Sequence, residues 1–294
     1  MSFQEASYKR HAEKFQDDLA DESRIARNRT WFDKDTANHW RHARMYAVVD
    51  SFRSELESSW LTVGDGRYGS DAIEIAEKGF ANVLATDISE TLLKEAQKEG
   101  RIQRYAVENA ESLSFAQNEF DYVFCKESYH HFPRPFIALY EMLRVAKKAV
   151  VLIEPNDPDR IPFRRFKHLM KTALKGRSHI DASFYEESGN YVYSISRREL
   201  EKVALGTNLP MIATKGLNDC YIEGCEFEPA SWNSAIYRRI RTKCALKDIA
   251  ARTFLYDYTL LMAILFKEPP SESIVAQLRM ARWNLHPLPR NPYA

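Results

Sequence analysis

The sequence predicts an α/β chain built on a doubly wound, mostly parallel seven-stranded sheet, with a helical N-terminal arm and lid insertions. Three observations lead there. Short apolar runs of strand length recur through the middle of the chain, separated by segments of helical spacing. One stretch, WLTVGDGRYGSDAIEIAEKGFANVLATD over 60–87, reads as strand, glycine loop, helix, strand and acid in succession. The composition is ordinary for a globular chain, with 294 residues, 45 % hydrophobic and 28 % charged.

Residues 1–57 read as the arm. Segments 7–19 and 36–54 have helical periodicity, and in the second Trp40, Met45, Val48, Val49 and Phe52 share much of one face. Trp31, Phe32, His39, Trp40, His42 and Tyr46 are unusually dense here. They either pack the arm onto the core or close it over a ligand.

The core is expected over 58–267. Strand 60–63 runs into Gly64, Gly66 and Gly69. Ser70 or Asp71 can cap a helix whose apolar face is Ala72, Ile73, Ile75 and Ala76, with Gly79 just past its end. Strand 83–86 ends at Asp87. Ser89 opens a helix through Leu92, Leu93 and Ala96, stopped by Gly100. A third strand is read at 102–107, a loop at 108–115, and a fourth strand within 119–126. The exit loop YHHFPRP, the helix 136–146 and a fifth strand at 149–153 follow. Two insertions, 156–195 and 217–255, interrupt what remains. The first is basic from Arg160 to Arg177, then aromatic at Phe184, Tyr185, Tyr191 and Tyr193. Ser196 caps a helix through Leu200, Val203 and Ala204. Strands are read at 211–215 and 256–267, with a basic helix around 235–246 between them. Residues 268–294 read as a last helix and a Pro-rich tail.

Bulk charge narrows the function. Lys plus Arg is 42 and Asp plus Glu is 41, so the formal charge of +1 gives no electrostatic reason to expect a nucleic-acid partner. No apolar run is long enough to span a bilayer, and the N-terminus lacks the apolar stretch of a signal peptide. Cys125, Cys220, Cys225 and Cys244 form no C-x-x-C pair, so a reducing cytoplasmic setting is the expectation and a metal site is not. The glycine loop lets a ligand approach the backbone, and the helix start presents free N–H groups. An acid at the tip of the second strand can accept hydrogen bonds from ribose hydroxyls. These features together describe a nucleoside-cofactor site. The literal G-x-G-x-x-G also suits a dinucleotide, so an NAD(P)-dependent oxidoreductase is one alternative, and a non-catalytic scaffold is another.

Four stretches taken in order discriminate further: VGDGRYG, ATD, ENAESLSF and EFDYVFCKESYHHFPRP. They resemble the successive motifs of the class I S-adenosylmethionine-dependent methyltransferase superfamily, densely over 60–154 and loosely to Lys267. That resemblance implies a Rossmann-like fold whose last two strands form an antiparallel hairpin. It implies S-adenosyl-L-methionine as cofactor, S-adenosyl-L-homocysteine as product, and EC class 2.1.1. Gly64, Asp65 and Gly66 would line the methionine side, Asp87 and Ile88 the ribose side, Asn109 and Ala110 the adenine, and Lys126 the floor below the methionine part. Two departures stand out. Thr62 occupies a position where the family usually has an acid, and Tyr68 replaces the third glycine, which is moved to Gly69.

Methyl transfer is an in-line displacement, and a hydroxyl acceptor must also lose a proton. The loop after the fourth strand carries His130 and His131, and an imidazole can take that proton. His130 ranks slightly above His131, and packing of the loop is the other reading. Tyr129, Tyr185, Tyr191 and Tyr193 are candidate substrate contacts or ordinary packing residues. The expected acceptor is a small molecule or a sugar (glycan) precursor, methylated at oxygen.

Overall fold

The computed structural model describes residues 2–16, 19, 21–157, 185–186, 188–253 and 255–293. The basic run Arg160 to Arg177 and Phe184 lie outside the described residues.

The arm is three helices. Helix α1 (Phe3–Glu13) starts behind a capping box in which Ser2 and Glu5 exchange side-chain-to-backbone hydrogen bonds. Helix α2 (Glu22–Arg29) is capped by Asp21. The sequence reading passed over it because ESRIARNR has only Ile25 and Ala26 as apolar residues and therefore no periodic face. Helix α3 (Ala37–Tyr46) begins at the Thr36 cap, and the chain then tightens into a 3-10 segment, Val49–Glu55, instead of continuing as one helix to residue 54.

The strands are β1 (Ser59–Val63), β2 (Asn82–Asp87), β3 (Tyr105–Val107), β4 (Phe120–Lys126), β5 (Ala146–Pro155), β6 (Met211–Leu217), β7 (Leu260–Phe266) and β8 (Asn284–Pro287). They form one sheet in the order β3-β2-β1-β4-β5-β7-β6-β8. Pairs among β1 to β5 are parallel, while β7 runs antiparallel to both β5 and β6. Between the strands lie α4 (Ser70–Glu77), α5 (Thr91–Lys98), α6 (Pro135–Val145), α7 (Arg197–Gly206), α8 (Ala235–Arg252) and α9 (Glu272–Met280). The second insertion, with α8, lies inside the β6–β7 hairpin.

The strand count is a correction: the sheet has eight strands where the sequence suggests seven. β8 pairs antiparallel with β6, from Met211 opposite Pro287 to Thr214 opposite Asn284. Its sequence, NLHP, has neither alternation nor β-branched residues, so it reads as tail. Edge placement suits it, since Pro287 cannot donate to a ladder.

Both faces of the sheet are buried, with period-two alternation. Trp60, Tyr122 and Phe124 join one core cluster, and Leu61, Val63, Val123 and Cys125 join the other. The first face is covered partly by the arm: Met45, Val49 and Phe52 belong to its cluster, and the Phe52 ring lies 4.6 Å from Tyr122 and 5.4 Å from Trp60. The second face is covered by α6 and α7, through Leu139, Met142 and Leu200. The chain leaves β1 toward β2 on one side and returns to β4 on the other. That reversal opens a crevice at the carboxyl ends of the strands, where open α/β sheets bind ligands. Among the described residues, no helix is long and apolar enough to cross a membrane.

Candidate active site

The glycine loop is shaped by close approaches that only glycine tolerates. Gly64 has φ of +76°, and a Cβ there would fall 2.4 Å from the Cβ of Ser128. A Cβ on Gly66 would fall 2.6 Å from the Asp87 carboxylate carbon. Tyr68 is left-handed at φ 59°, an uncommon conformation for a ring-bearing residue, and Gly69 follows it at 66°. The Tyr68 ring is buried against Phe32, with centroids 5.0 Å apart, so the displaced third glycine goes with a ring that ties the loop to the arm.

Thr62 receives its acid from a neighbour. The Asp65 carboxylate accepts from Thr62 Oγ1 at 2.8 Å and from the Asp71 and Ala72 N–H groups at 3.0 and 2.9 Å. It thus caps α4 from below, satisfying two backbone N–H groups at the helix start. Burial raises its pKa well above the ordinary carboxylate range, and the charge of Asp71 adds to that. Asp65 lines the cavity, but its carboxylate is spent inside the protein.

Asp87 closes β2. Its Oδ1 accepts from Ser89 N at 2.7 Å. Burial pushes its pKa up to about 6, against hydrogen bonds from the Ser89 and Gly66 backbones. A half-buried carboxylate with spare acceptor capacity gains from two further O–H donors, which is what a ribose supplies. Ile88 lines the same wall. Asn109 and Ala110 line the far end, although Asn109 Oδ1 already accepts from Glu111 N at 3.0 Å.

Lys126, at the end of β4, is buried between Asp71 at 3.3 Å and Glu127 at 3.7 Å, over the rings of Tyr46 and Trp31. Burial alone would lower its pKa; the carboxylates of Asp71 and Glu127 outweigh that and raise it. Tyr46 Oη donates to Asp71 at 2.6 Å, which ties the arm into the same network.

The arm supplies the roof. Tyr8 and His11 from α1, Phe15 just past its end, Trp31, and Arg41 and His42 from α3 line a cavity of about 350 Å³ together with the glycine loop. Tyr221 and Glu226 of the second insertion reach the same space. Tyr8 Oη donates to the buried Glu111 at 2.5 Å, and Arg134 binds that carboxylate through its backbone N–H and Nε. The aromatic and histidine density around residues 31–46, read as packing or as a cover over a ligand, does both: Trp31 and His42 line the cavity, while Tyr46 packs in the core and Phe32 against it.

The residues proposed for chemistry separate in the structure. His131 lines the cavity, with its Nδ1 2.7 Å from Glu186. His130 is not among the cavity-lining residues. Its Nδ1 is 2.6 Å from Glu154, a fully buried carboxylate that also accepts from the Ser128 and Tyr129 N–H groups. Burial alone would lower the His130 pKa, but the charge and hydrogen bond of Glu154 outweigh it and raise it. Tyr129 is fully buried in the second core cluster. Tyr193 donates to Glu199 at 2.6 Å and packs edge-on to Phe136, while Tyr185 and Tyr191 pair with each other at 5.6 Å. None of these tyrosines lines the cavity.

Residues 61–153 match a family model described as a methyltransferase domain. No curated protein sequence matches the chain. Solved structures similar in fold include YcgJ from Bacillus subtilis, at 20 % identity and a TM-score of 0.51, covering 77 % of this chain and 100 % of that one. A chain from the complex of the Haloferax volcanii Trm112 methyltransferase activator with a methyltransferase aligns at 15 % identity and a TM-score of 0.52, covering 89 % and 99 %. A sarcosine dimethylglycine methyltransferase candidate from Galdieria sulphuraria aligns at 13 % identity and a TM-score of 0.50, covering 78 % and 86 %. Strand order, glycine loop and domain match agree: residues 61–153 carry a methyltransferase domain, set in a Rossmann-like methyltransferase fold.

Proposed function

We propose that the chain transfers a methyl group from S-adenosylmethionine to a hydroxyl oxygen of a small molecule or a glycan precursor. The observation that carries this reading is the wall formed by Gly64, Gly66 and Asp87, continued by Ile88, Asn109 and Ala110 in one cavity. The glycines leave room for a ligand against the backbone, and Asp87 suits a vicinal diol. When bound, the cofactor supplies a sulfonium methyl group. Lys126 braces the floor through Asp71, and Glu127 extends the wall past the cofactor.

The roof supports a small acceptor. A cavity of about 350 Å³ lies at the small end of ligand sites and is covered by α1 and the second insertion. A folded protein or duplex surface does not reach a buried methyl group under such a cover. The domain match over 61–153 takes in the loop at 108–115 and the exit of β4, which a nicotinamide site has no need of, so the oxidoreductase reading has no support beyond its glycines.

The test is a panel of phenols, hydroxy acids, sugars and amines incubated with the protein and S-adenosylmethionine. S-adenosylhomocysteine release and the acceptor mass are followed together. The expected result is methylation confined to hydroxyl acceptors. Methylation of amines alone would overturn the choice of oxygen and leave the cofactor assignment standing.

A further inference from the structure

One titratable group in the cavity has no task in the site described so far. His42, on α3, is 7 % exposed and lines the cavity. Its Nδ1 is buried and makes no hydrogen bond among the described residues, although Glu127 Oε2 lies 3.3 Å from it. The Trp31 ring packs on the imidazole with centroids 4.5 Å apart, which fixes the ring plane. Native proteins rarely leave a buried polar nitrogen unpaired, and the exceptions call for a role.

Glu127 is also unusual. It occupies the left-handed region at φ 50°, at the turn out of β4. Strained backbone of this kind persists where the surrounding structure holds it, often beside a functional group. Here it brings a carboxylate up to His42 from the opposite wall.

We propose that His42, oriented by Glu127, accepts the proton of the methyl acceptor's hydroxyl group. This rests on the reading of the site as that of an O-methyltransferase. With Nδ1 turned toward Glu127, Nε2 is the nitrogen left for a ligand. The O–H bond electrons form the new bond to the methyl carbon, the proton goes to Nε2, and the C–S bonding pair stays on sulfur. Positive charge thus passes from the sulfonium to an imidazolium beside the Glu127 carboxylate. The substrate class that needs this device is a neutral phenol or alcohol; a carboxylate acceptor has no proton to lose.

Charged groups face His42 from three elements, and Glu127 is the anion among them, placed to offset an imidazolium. They are Lys126 and Glu127 at the exit of β4, Arg67 in the glycine loop, and Arg41 and His39 on its own helix. Burial, reinforced by Lys126, Arg41 and Arg67, holds the imidazole well below its ordinary pKa and therefore neutral at physiological pH. His131 also lines the cavity, but its Nδ1 is engaged by Glu186, on the side facing α1.

The experiment uses the full chain, labelled with ¹⁵N-histidine and saturated with S-adenosylhomocysteine, whose binding is first established by calorimetry. Failure at that step overturns the cofactor reading and, with it, the proposal. The ¹⁵N shifts of His42, assigned with His42→Gln, should report a neutral ring with its proton on Nδ1. Adding phenol should move Nε2, and adding anisole, which has no hydroxyl, should not. Glu127→Gln should redistribute the proton between the two nitrogens. His42→Gln should bind S-adenosylhomocysteine within about threefold of wild type, yet lower turnover of a hydroxyl acceptor typically by about 10²–10⁴-fold. A protonated ring, a proton on Nε2, or identical spectra with phenol and anisole would overturn the assignment even with cofactor binding intact.

Discussion

At the scale of single residues, motif letters and roles part company in several places. Asp65 lies in the cofactor loop, yet its carboxylate holds Thr62 and the start of α4. Tyr129 follows β4 in the loop expected to meet the acceptor, yet its ring is fully buried, 6.3 Å from Tyr193 and 6.2 Å from Phe132. Among the described residues, the Tyr129 hydroxyl has no hydrogen-bond partner. An unpaired buried hydroxyl costs about 1–3 kcal/mol, so its removal at constant shape is neutral or favourable. Tyr129→Phe should therefore keep turnover and raise the melting temperature, or leave it unchanged. A large loss of turnover without loss of stability would put Tyr129 back at the acceptor. The glycines Gly64 and Gly66 were legible because backbone clearance leaves marks in the letters themselves, and Asp87 because an acid directly ends an apolar strand; all three line the cavity. His42 was not, because its unpaired nitrogen exists only once α3 and β4 meet.

At the scale of elements, the arm belongs to both the core and the site. Its C-terminal part is core, through Met45, Val49 and Phe52, while α1 is held over the cavity by polar contacts. Tyr8 with Glu111, Arg134 with Tyr8, Arg10 with the Ser188 carbonyl and His11 with Asn190 are among the contacts that fasten α1. Few apolar groups of α1 are buried, so it opens at low cost relative to the sheet. Hydrogen exchange should show this difference. S-adenosylhomocysteine should slow exchange in 3–15 and around 221–226, with β7 unchanged. Equal protection with and without ligand in both segments would remove the idea that they cover the site. The helical pattern of α3 could be read because apolar residues repeat with the turn. Helix α2 could not, since it has only two adjacent apolar residues and is fixed by the Asp21 cap and by tertiary contacts such as Arg29 with Glu99.

At the scale of the whole molecule, the sheet brings loops from distant parts of the chain to one edge. β1, β2 and β4 end at the cavity, and the insertion inside the β6–β7 hairpin returns to it through Tyr221. Parallel order was legible in the alternation of apolar strands with amphipathic helices. β8 was not, because its pairing with β6 comes from backbone hydrogen bonds at a free edge and not from apolar pattern. The central claim is that this edge holds S-adenosylmethionine with Asp87 on the ribose. The most direct measurement is calorimetric titration of S-adenosylhomocysteine into the wild type and Asp87→Ala, repeated across pH. One molecule should bind per wild-type chain, and Asp87→Ala should bind about ten- to a hundredfold more weakly near neutral pH, from the loss of a charged acceptor. Because burial raises the Asp87 pKa to about 6, the acid is protonated below that value and is the poorer acceptor. Wild-type affinity should therefore rise with pH through about 6 and then level, and the variant should lack this dependence. Absence of binding by the folded wild type, or equal affinity in Asp87→Ala, would contradict the account.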